Sequence, residues 1–456
     1  MNEDWVDDHI LAAGPDGATA LLCASGRSYR QLRAAVTEWT ARLAGHGVGA
    51  RSTVALRLAP SFTYLELLLA VWRRGAQLQL IDHRTAPAEQ ATLLASLRPQ
   101  LLITDAGRPA VQAAFAEDAE VVMQTRPDGL PRQSDHDLVQ TSSGSTGLPK
   151  LVGRTAASLF DELHRFDAIE GSVQPDDCVL LLNSISHTFG LVGGILHTLR
   201  RGAALAFADR PIGRDIMTRL EASRATVVFG VPFHFEMMAA TPLTRKAGAV
   251  RAAVSGGERM PQRVGAAFAD RFGVPLGEAY GMTEVGIIAA DYLAQYPGTV
   301  GRLTAGTLAR IADDQLEVWT GVPPYLDGST GNRFTEGWLS THDTATIDGR
   351  GAVTIGPRID SVATIGGLKV DLTEVEQVLK EHPAVRAAVV VMGAVLEAYL
   401  EPTEDVAAAE VTTWCRSRLA GYKIPKAMVV LPVLPRTSTG KLKRDRAALV
   451  AAADQR

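Results

Sequence analysis

The chain reads as an α/β protein: a large, multi-layer N-terminal domain on mostly parallel sheets, then a small α+β C-terminal domain. Three observations carry that expectation. Strand-like and helix-like segments alternate through the first hundred residues, the pattern of a parallel sheet covered by helices. Glycines follow the first two helical segments, at Gly45, Gly47 and Gly75. Near residue 350 the rhythm changes, as Gly349-Arg350-Gly351 and Gly356-Pro357 interrupt the chain.

Ser28 is a natural helix N-cap, and Tyr29, Leu32, Val36, Trp39 and Leu43 repeat at 3-4-3-4 spacing, one face of a helix. Thr53 to Leu58 then reads as a strand and Tyr64 to Arg74 as a largely buried helix. Gln77 to Ile81 and Glu89 to Leu97 repeat the pair, and the alternation returns with a helix over Asp215 to Ala222 and a strand over Ala225 to Gly230. In the C-terminal part, Ile365-Gly366-Gly367-Leu368 predicts a tight hairpin, and Thr373 can cap a helix bearing Val375, Val378 and Leu379. A strand at Val389 to Met392 and a helix around Val411, Cys415 and Leu419, closed by Gly421, complete a unit with its own core. The expected division is 1–358 and 359–456.

Composition narrows the function classes. The 456 residues exceed one simple core, and about 150 residues per domain gives two or three units. A formal charge of −4 argues against general affinity for nucleic acid or anionic membrane. Cys23, Cys178 and Cys415 are too scattered for a disulfide framework or a zinc cluster. The acidic start, Asn2 to Asp8, is unlike a secretory signal, and the longest apolar run, Ala387 to Leu396, is too short for a membrane span. A cytoplasmic protein is the expectation.

Ser142-Ser143-Gly144-Ser145-Thr146-Gly147-Leu148-Pro149-Lys150 is the most informative segment. Glycines let backbone N–H groups turn inward, hydroxyls add donors and the lysine adds charge, which together make a cradle for polyphosphate. It is not a Walker A loop, because no Gly-Lys-Ser/Thr closes the spacer. Read alone, a solvated Ser/Gly turn is the alternative.

The loop does not stand alone. Ser255-Gly256-Gly257-Glu258, Tyr280-Gly281-Met282-Thr283-Glu284, Thr341-His342-Asp343, Arg358-Ile359-Asp360 and Thr439-Gly440-Lys441 follow in order. Together these motifs resemble those of the adenylate-forming enzymes: acyl- and aryl-CoA ligases, stand-alone acyl-carrier ligases, peptide-synthetase adenylation domains and luciferases. The resemblance runs from the helix at Ser28 to Arg444. It implies ATP-dependent activation of a carboxylic acid as an acyl-adenylate with release of pyrophosphate, then transfer to a thiol. It also implies a mobile C-terminal domain.

By that resemblance Ser142, Ser143, Gly144, Ser145, Thr146 and Gly147 cradle the pyrophosphate side, with Lys150 closing the loop. Gly256, Gly257, Glu258, Tyr280, Gly281 and Met282 line the adenine. Thr283 meets the α-phosphate and Glu284 holds Mg²⁺, which suits a hard cation that takes one carboxylate and phosphate oxygens. Asp343 accepts the ribose hydroxyls, with Arg358 beside it. Asp360 is the hinge, and Lys441 is the catalytic lysine. His342 stands where relatives mostly have glycine, and Thr364 where many have lysine. Gly367 keeps the glycine found beside the pantetheine channel.

The acyl pocket is expected from His187, Phe189, Val231, Phe233, Gly281, Val285 and Gly286. Relatives that activate amino acids carry an aspartate in the stretch Asn183–Val192, and this chain has none there. A buried ammonium without a counter-charge would cost several kcal/mol, so a non-amino acid, aryl or acyl, is expected. The acceptor would be coenzyme A or the phosphopantetheinyl arm of a separate carrier protein, since no attachment motif follows residue 445. Transfer to an amine, activation of another oxyacid, and a degenerate nucleotide-binding module stay open. Ser438-x-x-Lys441 also fits a serine-acylase pattern, but it sits in a turn-rich tail without that motif's companions.

Overall fold

The computed structural model describes residues 5–85, 87–106, 115–142, 150–242, 250–326, 333–365, 368–419, 421–437 and 441–454. Two sheets dominate. The first, of six strands among the described residues, runs Val121–Thr125, Leu101–Asp105, Thr53–Arg57, Gln77–Leu80, Leu138–Ser142, Lys150–Arg154. Its inner pairs are parallel and its two edge pairs antiparallel. The second has nine strands among the described residues, and Leu276–Met282, Ala252–Gly256, Val227–Gly230, Cys178–Leu181, Ala204–Ala206 and Thr19–Leu22 run parallel within it. No helix among the described residues is long and apolar enough to cross a membrane.

Local chemistry explains the elements. Ser28 caps Tyr29–Gly45 through a reciprocal capping box with Gln31, which satisfies two orphan donors at once. Ser61 caps Phe62–Arg73, a helix buried along nearly its whole length, and its side chains join one core with Val54, Leu56, Val179 and Leu205 from both sheets. Glu66 is tolerated in that helix because Arg27 stands 3.2 Å away and Trp39 Nε1 donates to it. In Phe189–Leu196 the glycines are packing devices: a Cβ on Gly193 would lie 2.5 Å from the Phe166 ring, and one on Gly194 would lie 2.6 Å from Leu181.

A third sheet, with Ala309–Ala312, Gln315–Trp319, Phe334–Thr335, Trp338–Ile347 and Val353–Arg358, encloses a separate core around Leu316, Val318, Tyr325 and Leu339. The C-terminal part has cores of its own. One joins Val375 and Leu379 of the helix Leu372–Lys380 to Val390, Leu400, Val411 and Cys415. Three local expectations are corrected. Asp371, not Thr373, caps Leu372–Lys380, because its carboxylate takes the Thr373 N–H at 2.9 Å. The strand expected at Val389 to Met392 begins at Val385, lengthened by its pairing with Leu396–Pro402. The helix expected to close at Gly421 is Ala408–Arg416, and Leu419 lies beyond it. The hairpin glycines Gly366 and Gly367 lie outside the described residues, although Val362–Ile365 and Leu368–Asp371 do pair antiparallel.

Candidate functional site

Four neighbouring parallel strands end on one edge of the nine-stranded sheet, at Leu181, Gly230, Gly256 and Met282. The segments just beyond those ends, Asn183–Phe189, Val231–Phe233, Gly257–Glu258 and Thr283–Glu284, therefore leave the sheet along that one edge. The carboxyl edge of a parallel sheet is where open α/β folds bind ligands. A Cβ on Gly281 would lie 2.4 Å from the Gly286 carbonyl oxygen, so glycine lets the two hairpin strands close at that point. The turn between them is fixed by Val285 N–H donating to Met282 O at 3.2 Å.

Tyr280, Asp343 and Arg358 come together. The Tyr280 hydroxyl donates to Asp343 Oδ2 at 2.5 Å. Arg358 Nη1 lies 3.7 Å from Asp343 Oδ1, and the two residues are register partners on adjacent strands. Burial, then the Asp343 charge, pushes the Tyr280 phenol well above its usual pKa. His342 has φ +63°, the left-handed region. Glycine adopts that backbone without steric penalty, which gives the departure at this position a physical meaning.

Glu284 is buried, and Tyr325 donates to its Oε1 at 2.7 Å with Arg333 Nη1 at 3.4 Å from the same oxygen. Lys150 Nζ sits 5.1 Å from the Tyr325 ring centroid, so the end of the glycine-rich loop and this carboxylate share one aromatic neighbour. Among the described residues no group of three or more His, Cys, Asp or Glu could hold a metal alone. A single buried carboxylate such as Glu284 has the chemistry of one ligand to a hard cation that takes its other ligands from phosphate oxygens and water. Loop residues Ser143, Gly144, Ser145, Thr146 and Gly147 lie outside the described residues, as do the side chains of Ser142, Asp360 and Thr364.

Lys441 reaches this edge from the C-terminal part of the chain. Its Cε lies 4.0 Å from where a Cβ on Gly257 would stand. Burial pulls its ammonium below the ordinary lysine pKa; Glu258 and Asp343 oppose that shift, and Arg358 and Arg444 add to it. Its backbone is anchored, with Lys441 N–H donating to Thr437 Oγ1 at 3.1 Å and Thr437 N–H to Lys441 O at 2.6 Å.

In the turn that follows Leu181, burial and then the Lys441 charge bring His187 down to about 4, so its imidazole is neutral at pH 7. Phe189 packs against Phe229 and under Gly256, where a Cβ would come within 2.9 Å of the Phe189 ring. Gln140, two residues before the loop, donates to Ser186 O at 2.6 Å and accepts from the Thr188 hydroxyl at 2.9 Å, bracing the turn that carries His187. Val231 opens the helix Pro232–Ala240. Two expected wall residues have other neighbours in the structure. Val285 is in the core of the third sheet with Val318 and Leu339. Phe233 is 41% exposed, with the Arg436 guanidinium 5.7 Å from its ring centroid, so it lines the seam with the C-terminal part. Gly286 has φ +84° and backs onto the Glu162 carboxyl.

Sequence reasoning missed Tyr325, Arg333 and Gln140. The first two reach Glu284 from a distant strand-loop region with no motif of its own. Gln140 follows the apolar pair Leu138-Val139 and is followed by Thr141 and Ser142, so nothing local marked it out.

The sequence matches the AMP-binding enzyme family over residues 9–331 and the C-terminal domain of AMP-binding enzymes over 374–441. The chain belongs to that family of AMP-binding enzymes. It is 28% identical to a feruloyl-CoA synthase of Amycolatopsis sp, covering 93% of each chain. It is 29% identical to an indoleacetate–CoA ligase of Aromatoleum aromaticum, covering 97% of this chain and 96% of that one. Among solved structures, o-succinylbenzoate CoA synthetase from Bacillus subtilis, in complex with its acyl-adenylate intermediate, superposes with a TM-score of 0.81 at 23% identity over 97% of both chains. A benzoate CoA ligase from Burkholderia xenovorans superposes at 0.78 and 22% identity, covering 94% of this chain and 96% of that one. These two share its fold.

Proposed function

We propose that this chain activates a non-amino-acid carboxylic acid, aryl or acyl, as an acyl-adenylate, releasing pyrophosphate. It then passes the acyl group to the thiol of coenzyme A or of a carrier protein's phosphopantetheine. The observation that carries the reading is the arrival of Lys441 beside Glu258, Asp343 and Arg358. Two anions, a carboxylate and the α-phosphate, must meet, so the site needs fixed positive charge and aimed donors more than an acid or base.

In this reading Tyr280 stacks on the adenine, while its hydroxyl and Arg358 hold Asp343 for the ribose hydroxyls. Thr283 donates to the α-phosphate, the Ser142–Lys150 loop cradles the β- and γ-phosphates, and Lys441 bridges the α-phosphate and the attacking carboxylate. Glu284 would hold Mg²⁺, which when bound neutralises phosphate charge. Neutral His187 and the Phe189 ring face the acid. The structure brings one aspartate toward that turn, Asp82, near Ser186, but Arg84 pairs with it at 2.9 Å. A substrate ammonium would have to displace that guanidinium, which supports an acid without one. The relatives named for feruloyl, indoleacetate and benzoate thioesters favour an aromatic tail.

The test is product analysis with ATP, Mg²⁺, a panel of aryl and aliphatic acids, and either coenzyme A or a phosphopantetheinylated carrier. AMP and an acyl-thioester are expected in equal amounts. AMP without an acyl-thioester would overturn the thiol assignment.

A further inference from the structure

The proposed chemistry leaves one buried ionic cluster unused. Arg154 is 3% exposed and Glu162 is 1% exposed. Arg154 ends the strand Lys150–Arg154, and Glu162 stands on the next helix, Ala156–Asp167. Arg154 Nη2 donates to Glu162 Oε2 at 3.0 Å and to Ser158 O at 2.9 Å. The other carboxylate oxygen, Oε1, accepts the Ile287 N–H at 3.0 Å. From the same helix Arg165 Nη1 donates to the Ile287 carbonyl at 3.1 Å and, at 3.5 Å, to that of Val285. Between these contacts lies Gly286, where a Cβ would fall 2.1 Å from Glu162 Cδ. The helix thus grips both the donor and the acceptors of Val285–Ile287, and glycine at 286 permits the approach.

Stability alone does not account for the pair, since well-packed apolar residues commonly do as well as a buried ion pair. Its location does. The gripped segment directly follows Thr283 and Glu284. The strand Lys150–Arg154 begins where the glycine-rich loop ends. Its Val152 bridges to Tyr325, and Gly153 N–H donates to Pro324 O at 2.8 Å. Tyr325 in turn reaches Glu284. One strand therefore meets the Glu284 turn by two routes, through Tyr325 and through Arg154–Glu162.

We propose that Arg154 and Glu162 are positioning residues that hold the Thr283–Glu284 turn in register with the strand leaving the phosphate loop. The Ile287 hydrogen bond is the link that matters. The proposal rests on the adenylating reading and adds to it a coupling between the loop and the turn.

Single variants would strand a buried charge, so the test uses two double variants. Arg154→Leu/Glu162→Gln keeps an acceptor for Ile287, and Arg154→Leu/Glu162→Leu removes it. The second is expected to lower kcat for ATP–pyrophosphate exchange about tenfold or more, as for one lost hydrogen bond to a charged group. KM for the acid should change less. In the ligand-free protein its Ile287 amide should exchange with deuterium about tenfold faster. The glutamine variant should restore both properties to within about threefold of the parent. Equal kcat and equal Ile287 exchange in the two double variants would overturn the proposal. If the leucine pair does not fold, Arg154→Met/Glu162→Met, which keeps unbranched side chains and equally removes the acceptor for Ile287, takes its place. Equal kcat and equal Ile287 exchange in that variant and the glutamine variant would likewise overturn the proposal. A parent chain that exchanges no pyrophosphate with any acid sinks the adenylating reading, whereas the amide comparison still decides whether Glu162 holds the turn.

Discussion

Replacing Lys441 by alanine removes the ammonium and little else. The backbone bonds to Thr437 do not involve the side-chain amine, so the turn that presents residue 441 persists. The larger core of the C-terminal part, which holds Val375, Val390 and Val411, lies elsewhere. A unit charge about 4 Å from a phosphate oxygen, at an effective dielectric near 20, interacts by about 4 kcal/mol. Loss of one aimed donor in an enzyme site costs about 10²–10³ in rate, and the two figures agree. Lys441→Ala should therefore slow acid-dependent pyrophosphate release in a single turnover by about 10²–10³-fold. Its melting temperature should stay within about 2 °C of the parent, since the ammonium is held against a desolvation cost and not in a strong pair. Thioester formation from separately supplied acyl-adenylate should fall far less, because the α-phosphate has already been attacked. Pyrophosphate release within threefold of the parent would refute the assignment of Lys441.

Tyr280→Phe keeps the ring but takes the hydroxyl from Asp343 Oδ2. KM for ATP should rise about tenfold, the lower range for a hydrogen bond to a charged group, and an unchanged KM would return Tyr280 to a packing role. Glu278, burdened first by burial and further by Asp291, its register partner across the hairpin, has its carboxyl raised to about 7. The folded state thus binds the proton more tightly than the unfolded one. That stability is complete below the unfolded pKa and is lost as pH rises toward 7, on the order of 3 kcal/mol in all. Glu278→Gln should melt increasingly above the parent as pH goes from 5 to 8.5, and a constant difference would contradict the burial argument. Gly286→Ala drives a methyl into Glu162 at a positive φ. It should cost about 3 kcal/mol or more by thermal melting, and a parent-like midpoint would show that the turn can move away.

The elements most legible in the sequence were those with local signals. The Ser28 cap, the apolar repeat after it and the strand–helix alternation of residues 53–97 depend on neighbours a few positions apart, and the structure forms each of them. Asp371 and Thr373, two positions apart, can each serve as a cap, and the Asp371 carboxyl takes the role by accepting the Thr373 N–H. In the candidate site, Tyr280, Glu284, Asp343, Arg358 and Lys441 sit in recognisable motifs; Tyr280, Asp343, Arg358 and Lys441 come together, while Glu284 meets Tyr325 and Arg333. Tyr325, Arg333, Gln140 and the Arg154–Glu162 pair act on distant segments through a few hydrogen bonds each, which leave no periodicity to read. Phe233 and Val285 show what the sequence leaves open. Their apolar character was visible, but which apolar face each joins is set by tertiary packing. Phe233 meets Arg436, and Val285 turns into the core of the third sheet.

The central claim is that this chain adenylates a carboxylic acid that bears no α-ammonium. ATP–pyrophosphate exchange, with no acceptor present, measures that step directly across aryl, aliphatic and amino acids, with nitrite as a non-carboxylate oxyacid. The account predicts exchange with one or more aryl or acyl acids, dependent on Mg²⁺ and on Lys441. Exchange only with amino acids would contradict the reading of the Asn183–Phe189 turn, and exchange with none of the panel would contradict adenylation itself.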